Sequence, residues 1–182
     1  MIMNIWEMQN RTKTYLAGDW TGDSNAIEAI HKWNESDHYG LHFTDVHSFT
    51  TSYDSSNYCS IKKSLRQRMK ISKRFVLVVG NQTNTLTKGA CFNCAFYRTY
   101  LTVPSKCILG NTIDNRSYIK YECDMAVEDN LDIVVLYNDT KVDRSKCPES
   151  VRWKGKHISM IFWGSDGNYY WDYQNIKKAI NG

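Results

Sequence analysis

Two stretches constrain the fold most: "RFVLVVGN" from Arg74 to Asn81 and "LDIVVLYN" from Leu131 to Asn138. Each is an almost unbroken apolar run, rich in Val, that ends in a small or turn-forming residue, as strands covered on both faces do. A third run, "KTYLAGDW" from Lys13 to Trp20, has the same character, and "YGLHFTDV" (Tyr39 to Val46) and "HISMIFW" (His157 to Trp163) are weaker candidates. A strand buried on both faces needs helices on both faces, and the intervening segments have helical period. Ala26, Ile27, Ile30 and Trp33 share a face behind a cap at Asp23 or Ser24, and Ile61, Leu65 and Met69 share another behind Ser60.

Strands and helices thus alternate, with a fifth strand and a closing helix around "WDYQNIKKAI". The expected fold is α/β and flavodoxin-like, in three layers, around a central, mainly parallel sheet of five strands. At 182 residues the chain is long enough for one well-filled core and short for two, so residues 1–182 are read as a single domain, with 1–12 as an N-terminal extension. Residues 83–115 lack a clear period and are read as a cysteine-containing insertion. No apolar run is long enough to cross a bilayer and the start lacks the order of a secretory signal, so a cytoplasmic protein with no membrane partner is expected.

Charge is unevenly placed. From Ser55 to Ile113 there is no Asp or Glu but ten Lys and Arg, which leaves the remainder at −6 within a net +4. Such a field favours an anionic partner, a dinucleotide among them, although solvated helix faces account for much of it. In that setting the six cysteines are thiols or a metal set rather than a disulfide framework. Cys91, Cys94 and Cys107 supply three ligands, with Cys123, Cys147 or a histidine as the fourth, but a lone CxxC with one outlying cysteine is incomplete, and plain thiols with no metal are the expectation.

One carboxylate is oddly placed. In "RSYIKYECDMAVEDN" the stripe Ile119, Cys123, Ala126 and Val127 is apolar, while Lys120, Asp124 and Glu128 face water. Glu122 falls on the flank beside the stripe, one turn after Tyr118. Parallel sheets bind ligands beyond the carboxyl ends of their strands, where helices begin, so Glu122 is expected to look into that crevice. The strand ends expected there are Gly18, Asp19 and Trp20, then Asp45 and His47, then Gly80 and Asn81. Asp19 and Asp45 could equally terminate strands or cap helices. The aromatics Tyr169, Tyr170, Trp171 and Tyr173 read as packing against the last helix. No aspartate ends the third strand, as a phosphoacceptor domain would require, and no Walker loop is present.

Taken in order, "KTYLAGDWTGD", "LHFTDVH", "SIKKSLRQRMKISKRFVLVVG" and "RSYIKYECDMAVEDNLDIVVLYN" resemble the TIR-like proteins of the bacterial Thoeris anti-phage system. The resemblance implies a TIR-like version of the fold and cleavage of NAD, as substrate rather than cofactor, between nicotinamide and ribose. In TIR enzymes a tryptophan stands four positions before the catalytic glutamate. Glu122 matches that glutamate, and Tyr118 replaces the tryptophan. Asp19, Trp20, Asp45, His47, Gly80, Asn81 and Tyr118 become the substrate-binding candidates, and the loop from His47 to Ser60 matches the one that borders the nucleotide site.

The resemblance favours a cyclic ADP-ribose-type product read by a separate effector protein, and self-association into a homo-oligomer. A phage-derived trigger is left unspecified. The competing classes are a non-enzymatic TIR-like assembly module, a nucleic-acid binder using the basic helix from Lys62 to Arg74, and a nucleoside deoxyribosyltransferase with Glu122 as nucleophile. The basic helix carries Ile61, Leu65 and Met69 on its other side, which makes nucleic acid the weaker partner.

Overall fold

The computed structural model describes residues 11–41, 43–45, 57–97 and 106–182. Four strands, β1 (Lys13–Ala17), β2 (Ser72–Val79), β3 (Asp132–Tyr137) and β4 (Lys156–Ser159), form a sheet in the order β1-β2-β3-β4 with every pairing parallel. Helices α1 (Ser24–Glu35), α2 (Tyr58–Lys70), α3 (Tyr118–Glu128) and α4 (Tyr173–Asn181) cover it.

Alternation along the strands divides the interior in two. Phe75, Leu77 and Val79 of β2 and Ile133, Val135 and Tyr137 of β3 pack with α2 and α3. Val76, Val78, Val134 and Leu136 face the other way, onto α1 and α4. Both sets are apolar because both sheet faces are buried, which is why these runs read as continuous rather than alternating. The α1 stripe of Ala26, Ile27, Ile30 and Trp33 is buried as its spacing requires.

Among the described residues the sheet has four strands, where five are expected from the sequence. The stretch Tyr39 to Val46 contributes one parallel bridge, Asp45 to Thr14, beside β1 where a further strand would lie. Its backbone is taken by another partner: the Asn34 side chain accepts from the Phe43 N–H at 2.7 Å and donates to the Phe43 carbonyl at 2.9 Å. An amide that satisfies both groups of one residue replaces a strand neighbour there.

"HISMIFW" is likewise not one strand. It breaks at buried Met160, and β5 (Ile161–Trp163) turns back onto β6 (Tyr169–Trp171) as an antiparallel hairpin off the main sheet. Trp171 and Tyr173 pack near Trp33, with ring centroids at 6.0 and 5.4 Å, while Tyr169 and Tyr170 are exposed. The packing role therefore holds for two of the four aromatics. No described helix is long and apolar enough to cross a membrane.

Candidate functional site

Helix α3 starts at the carboxyl edge of the sheet. Ser117 caps it by accepting from the Lys120 N–H at 3.2 Å, and the Tyr118 N–H is held by the Lys88 carbonyl at 2.9 Å. Glu122 lies one turn further along, about 5 Å below that start. It is 6% exposed, together with Ile119, Cys123 and Ala126.

The tyrosine hydroxyl of Tyr15, in the middle of β1, donates to Glu122 Oε1 at 2.6 Å. Tyr15 is fully buried, and a buried hydroxyl needs an acceptor. Burial, then the neighbouring Glu122, push the Tyr15 hydroxyl well above its ordinary range, so it remains a donor throughout the pH range of a cell. Arg68 and Asp45 also act electrostatically on Tyr15, which places Tyr15, Asp45, Arg68 and Glu122 in one neighbourhood.

Asp45 is buried and stands 3.9 Å from His31 Nε2. Trp20, half-exposed, lies 5.7 Å from the His31 ring, and both line a groove of about 230 Å³ along α1. Asp45, His31 and Trp20 thus form a line from β1 to the outer surface of α1. His47 lies outside the described residues.

The other sequence candidates gather elsewhere. The Asp19 side chain closes its own turn, accepting from the Thr21 N–H at 3.1 Å. Gly80 permits a close approach: a Cβ there would fall 1.9 Å from Asp23 Oδ1. Asp23 accepts from Asn138 Nδ2 at 2.9 Å, which ties the entry of α1 to the end of β3, and burial raises its carboxyl above the ordinary value. Asn81 is exposed in the following turn. Tyr118 is half-buried, its ring against Gly89 and 5.8 Å from that of Tyr58.

Sequence reasoning passed over Tyr15, Arg68 and Asp23. The signal for Tyr15 was available: a tyrosine inside a strand buried on both faces must find a hydrogen-bond partner. It also placed the basic charges of α2 outside, whereas Lys62 is 5% exposed and donates to the carbonyls of Asp114 at 2.8 Å and Arg116 at 2.7 Å. Arg66 pairs with buried Asp129. These two cations are engaged within the protein.

A larger cavity, about 500 Å³, opens beside the start of α3 and is lined by Thr83, Phe92, Arg116, Lys120, Glu149 and Arg152 among others. Glu122 is not in its wall.

Residues 15–88 match the family described as "Thoeris protein ThsB, TIR-like domain". No curated protein matches the chain. The matched stretch begins at Tyr15 and includes Asp45 and Arg68, but stops before α3 and Glu122. Over residues 15–88, less than half of its length, this mixed α/β chain is similar to the TIR-like domain of the Thoeris protein ThsB.

Proposed function

We propose that this protein is a TIR-family enzyme that cleaves NAD at the bond between nicotinamide and ribose, with Glu122 as its catalytic carboxylate. The observation that carries the proposal is the 2.6 Å hydrogen bond from Tyr15, which fixes a buried carboxylate that follows an aromatic by one helical turn. Cleavage of this bond makes a modest demand. Nicotinamide is already a cation in the substrate and leaves as a neutral ring, so no acid has to protonate it. Glycoside hydrolases commonly need two carboxylates, one of them to protonate the leaving oxygen. Here one oriented anion can hold the ribose hydroxyls and stabilise the oxocarbenium-like transition state.

Asp45 and Arg68, grouped with Tyr15, are the neighbours that extend this site toward a ribose and a diphosphate. If water is excluded and a nucleophile of the same ADP-ribose is held close, the product is cyclic; if water enters, it is linear. The cyclic product suits the defence system, in which a diffusible nucleotide would switch on a separate effector. On this reading the buried Glu122 is reached by ribose only once the site opens, and self-association or a phage-derived trigger would open it.

The same burial favours one rival, in which Glu122 serves only as the acceptor for Tyr15 in a non-enzymatic assembly module. Glu122→Gln separates the two, because glutamine keeps an acceptor for Tyr15 and removes the charge. Nicotinamide release from NAD is measured at high protein concentration, and in lysates of infected cells, with mass analysis of the second product. Release by the wild type that vanishes in the variant supports the enzyme. Release unchanged in the variant removes Glu122 from the chemistry, and defence that survives the substitution supports the module.

A further inference from the structure

We infer that the cavity beside the start of α3 is a binding site for a nucleoside monophosphate, separate from Glu122 and independent of the NAD reading. At about 500 Å³ it falls within the usual size of small-ligand pockets, about 300–1,000 Å³. Four segments enclose it: the turn after β2, the short turn Cys91–Asn93, the start of α3, and the segment between β3 and β4. Cross-links hold these walls in place. Asn84 Nδ2 donates to the Ser145 carbonyl at 3.2 Å, and the Thr83 hydroxyl accepts from the Gly80 N–H at 2.8 Å.

Two cations in the wall are left for an anion. Arg152 Nε and Nη2 both donate to the Cys147 carbonyl, at 3.3 and 3.2 Å. A carbonyl fixes the guanidinium without neutralising it, and Nη1 remains to donate. Lys120 is exposed, and among the described residues no carboxylate forms an ion pair with it or with Arg152. Arg116 differs: Asp114 and Asp124 neutralise it, so it shapes the wall without adding charge. The first turn of α3, which carries Lys120, adds the positive end of its helix dipole to the same wall.

The remaining wall suits the rest of a nucleotide. Phe92 is half-exposed, and its turn is pinned by the Phe92 N–H donating to Asn115 Oδ1 at 3.2 Å. An aromatic ring held in this way offers a face on which a base can stack. Glu149, exposed and the one acid among the described lining residues, is an acceptor for sugar hydroxyls.

Charge and shape together select the ligand. Two unneutralised cations match one phosphate dianion, and a polyphosphate would leave charge unpaired beside Glu149. Inorganic phosphate alone would use neither Phe92 nor the hydroxyl acceptor. A bound nucleotide would also clamp the start of the helix that carries Glu122, because Ser117 and Lys120 line the cavity while Glu122 faces Tyr15.

The test is titration of the full-length protein with AMP, GMP, CMP and UMP, read by calorimetry and by hydrogen exchange, with adenosine and inorganic phosphate titrated separately. At least one monophosphate is expected to bind more tightly than either fragment and to slow exchange in the first turn of α3. Lys120→Gln should weaken that binding about tenfold, through loss of a charged hydrogen bond, and Phe92→Ala about tenfold, through loss of stacking. Both side chains are exposed, so both variants should fold. Three results overturn the site: no binding of any monophosphate at millimolar concentration, full affinity in both folded variants, or inorganic phosphate binding as tightly as the nucleotides. Nicotinamide release is not the readout, so failure here leaves the NAD reading standing.

Discussion

Tyr15 and Glu122 are 107 positions apart in the chain and 2.6 Å apart in the fold. The strand residue comes from the stretch that matches the Thoeris family, and the helix residue from beyond it. Replacing Tyr15 with Phe takes the Tyr15 donor away from a buried carboxylate. Stability should fall by about 1–3 kcal/mol. On the enzyme reading the catalytic rate should fall by about 10–100-fold with KM little changed, because the carboxylate loses its orientation rather than its charge. Denaturant unfolding and steady-state nicotinamide release measure the two effects separately.

Gly80 is the tightest point at the sheet end. Alanine there puts a Cβ against Asp23 Oδ1 and disturbs the Asp23–Asn138 link between α1 and β3. Gly80→Ala should cost about 1–3 kcal/mol, the usual penalty for overpacking. A lowered melting temperature would show it, and an unchanged one would mean that Asp23 has room to move.

His157 should make stability depend on pH. Its Nε2 lies 3.0 Å from the Lys154 carbonyl and therefore carries the proton, so Nδ1 accepts from the Tyr137 hydroxyl at 2.9 Å. Burial lowers the His157 pKa, and the hydrogen bond to Lys154, which raises it, does not cancel that. The unfolded chain then takes up a proton first as pH falls. Stability from this group is complete above about pH 6.5, its unfolded value, and is lost as pH falls through the lower folded value. Melts across that window should decline in the wild type and flatten in His157→Gln.

Lys62 should behave as a buried fastener. Lys62→Met takes one donor from each of the carbonyls of Asp114 and Arg116, the former of which keeps the Cys91 N–H at 3.1 Å, and removes a charge 3.3 Å from the Asp114 carboxylate. Burial alone would raise that carboxyl, but hydrogen bonds from Arg116 and the charge of Lys62 outweigh it and hold the pKa at about 2. A loss of about 3 kcal/mol is expected. Hydrogen exchange should rise first between Asp114 and Tyr118, where the lysine holds the backbone.

The sheet was legible where one signal dominated. The Val-rich runs and the α1 stripe depend on burial alone, and burial writes itself into period and composition. The strand expected at Tyr39 to Val46 was not legible, because a side chain, Asn34, takes the Phe43 backbone groups that a strand would have offered. Propensity cannot register an acceptor from another element. Glu122 stood out as a charge beside an apolar stripe, yet the reason for its placement lay in Tyr15, on a strand far away in the chain. Lys62 was hidden for a related reason. It sits on a helix whose other lysines, Lys63 and Lys70, are exposed, and what turns it inward is the pair of carbonyls of Asp114 and Arg116, in a stretch that has no period of its own.

The β1–α3 hydrogen bond also sets an order of events during synthesis. The tyrosine emerges from the ribosome first and its carboxylate partner last, after α1, α2, β2 and the whole excursion have been made. No N-terminal fragment ending before α3 contains Glu122, and no C-terminal fragment starting after β1 contains Tyr15. A chain that stops before α3, or one cut between β1 and α3 so that the strand is released, therefore lacks the paired site altogether.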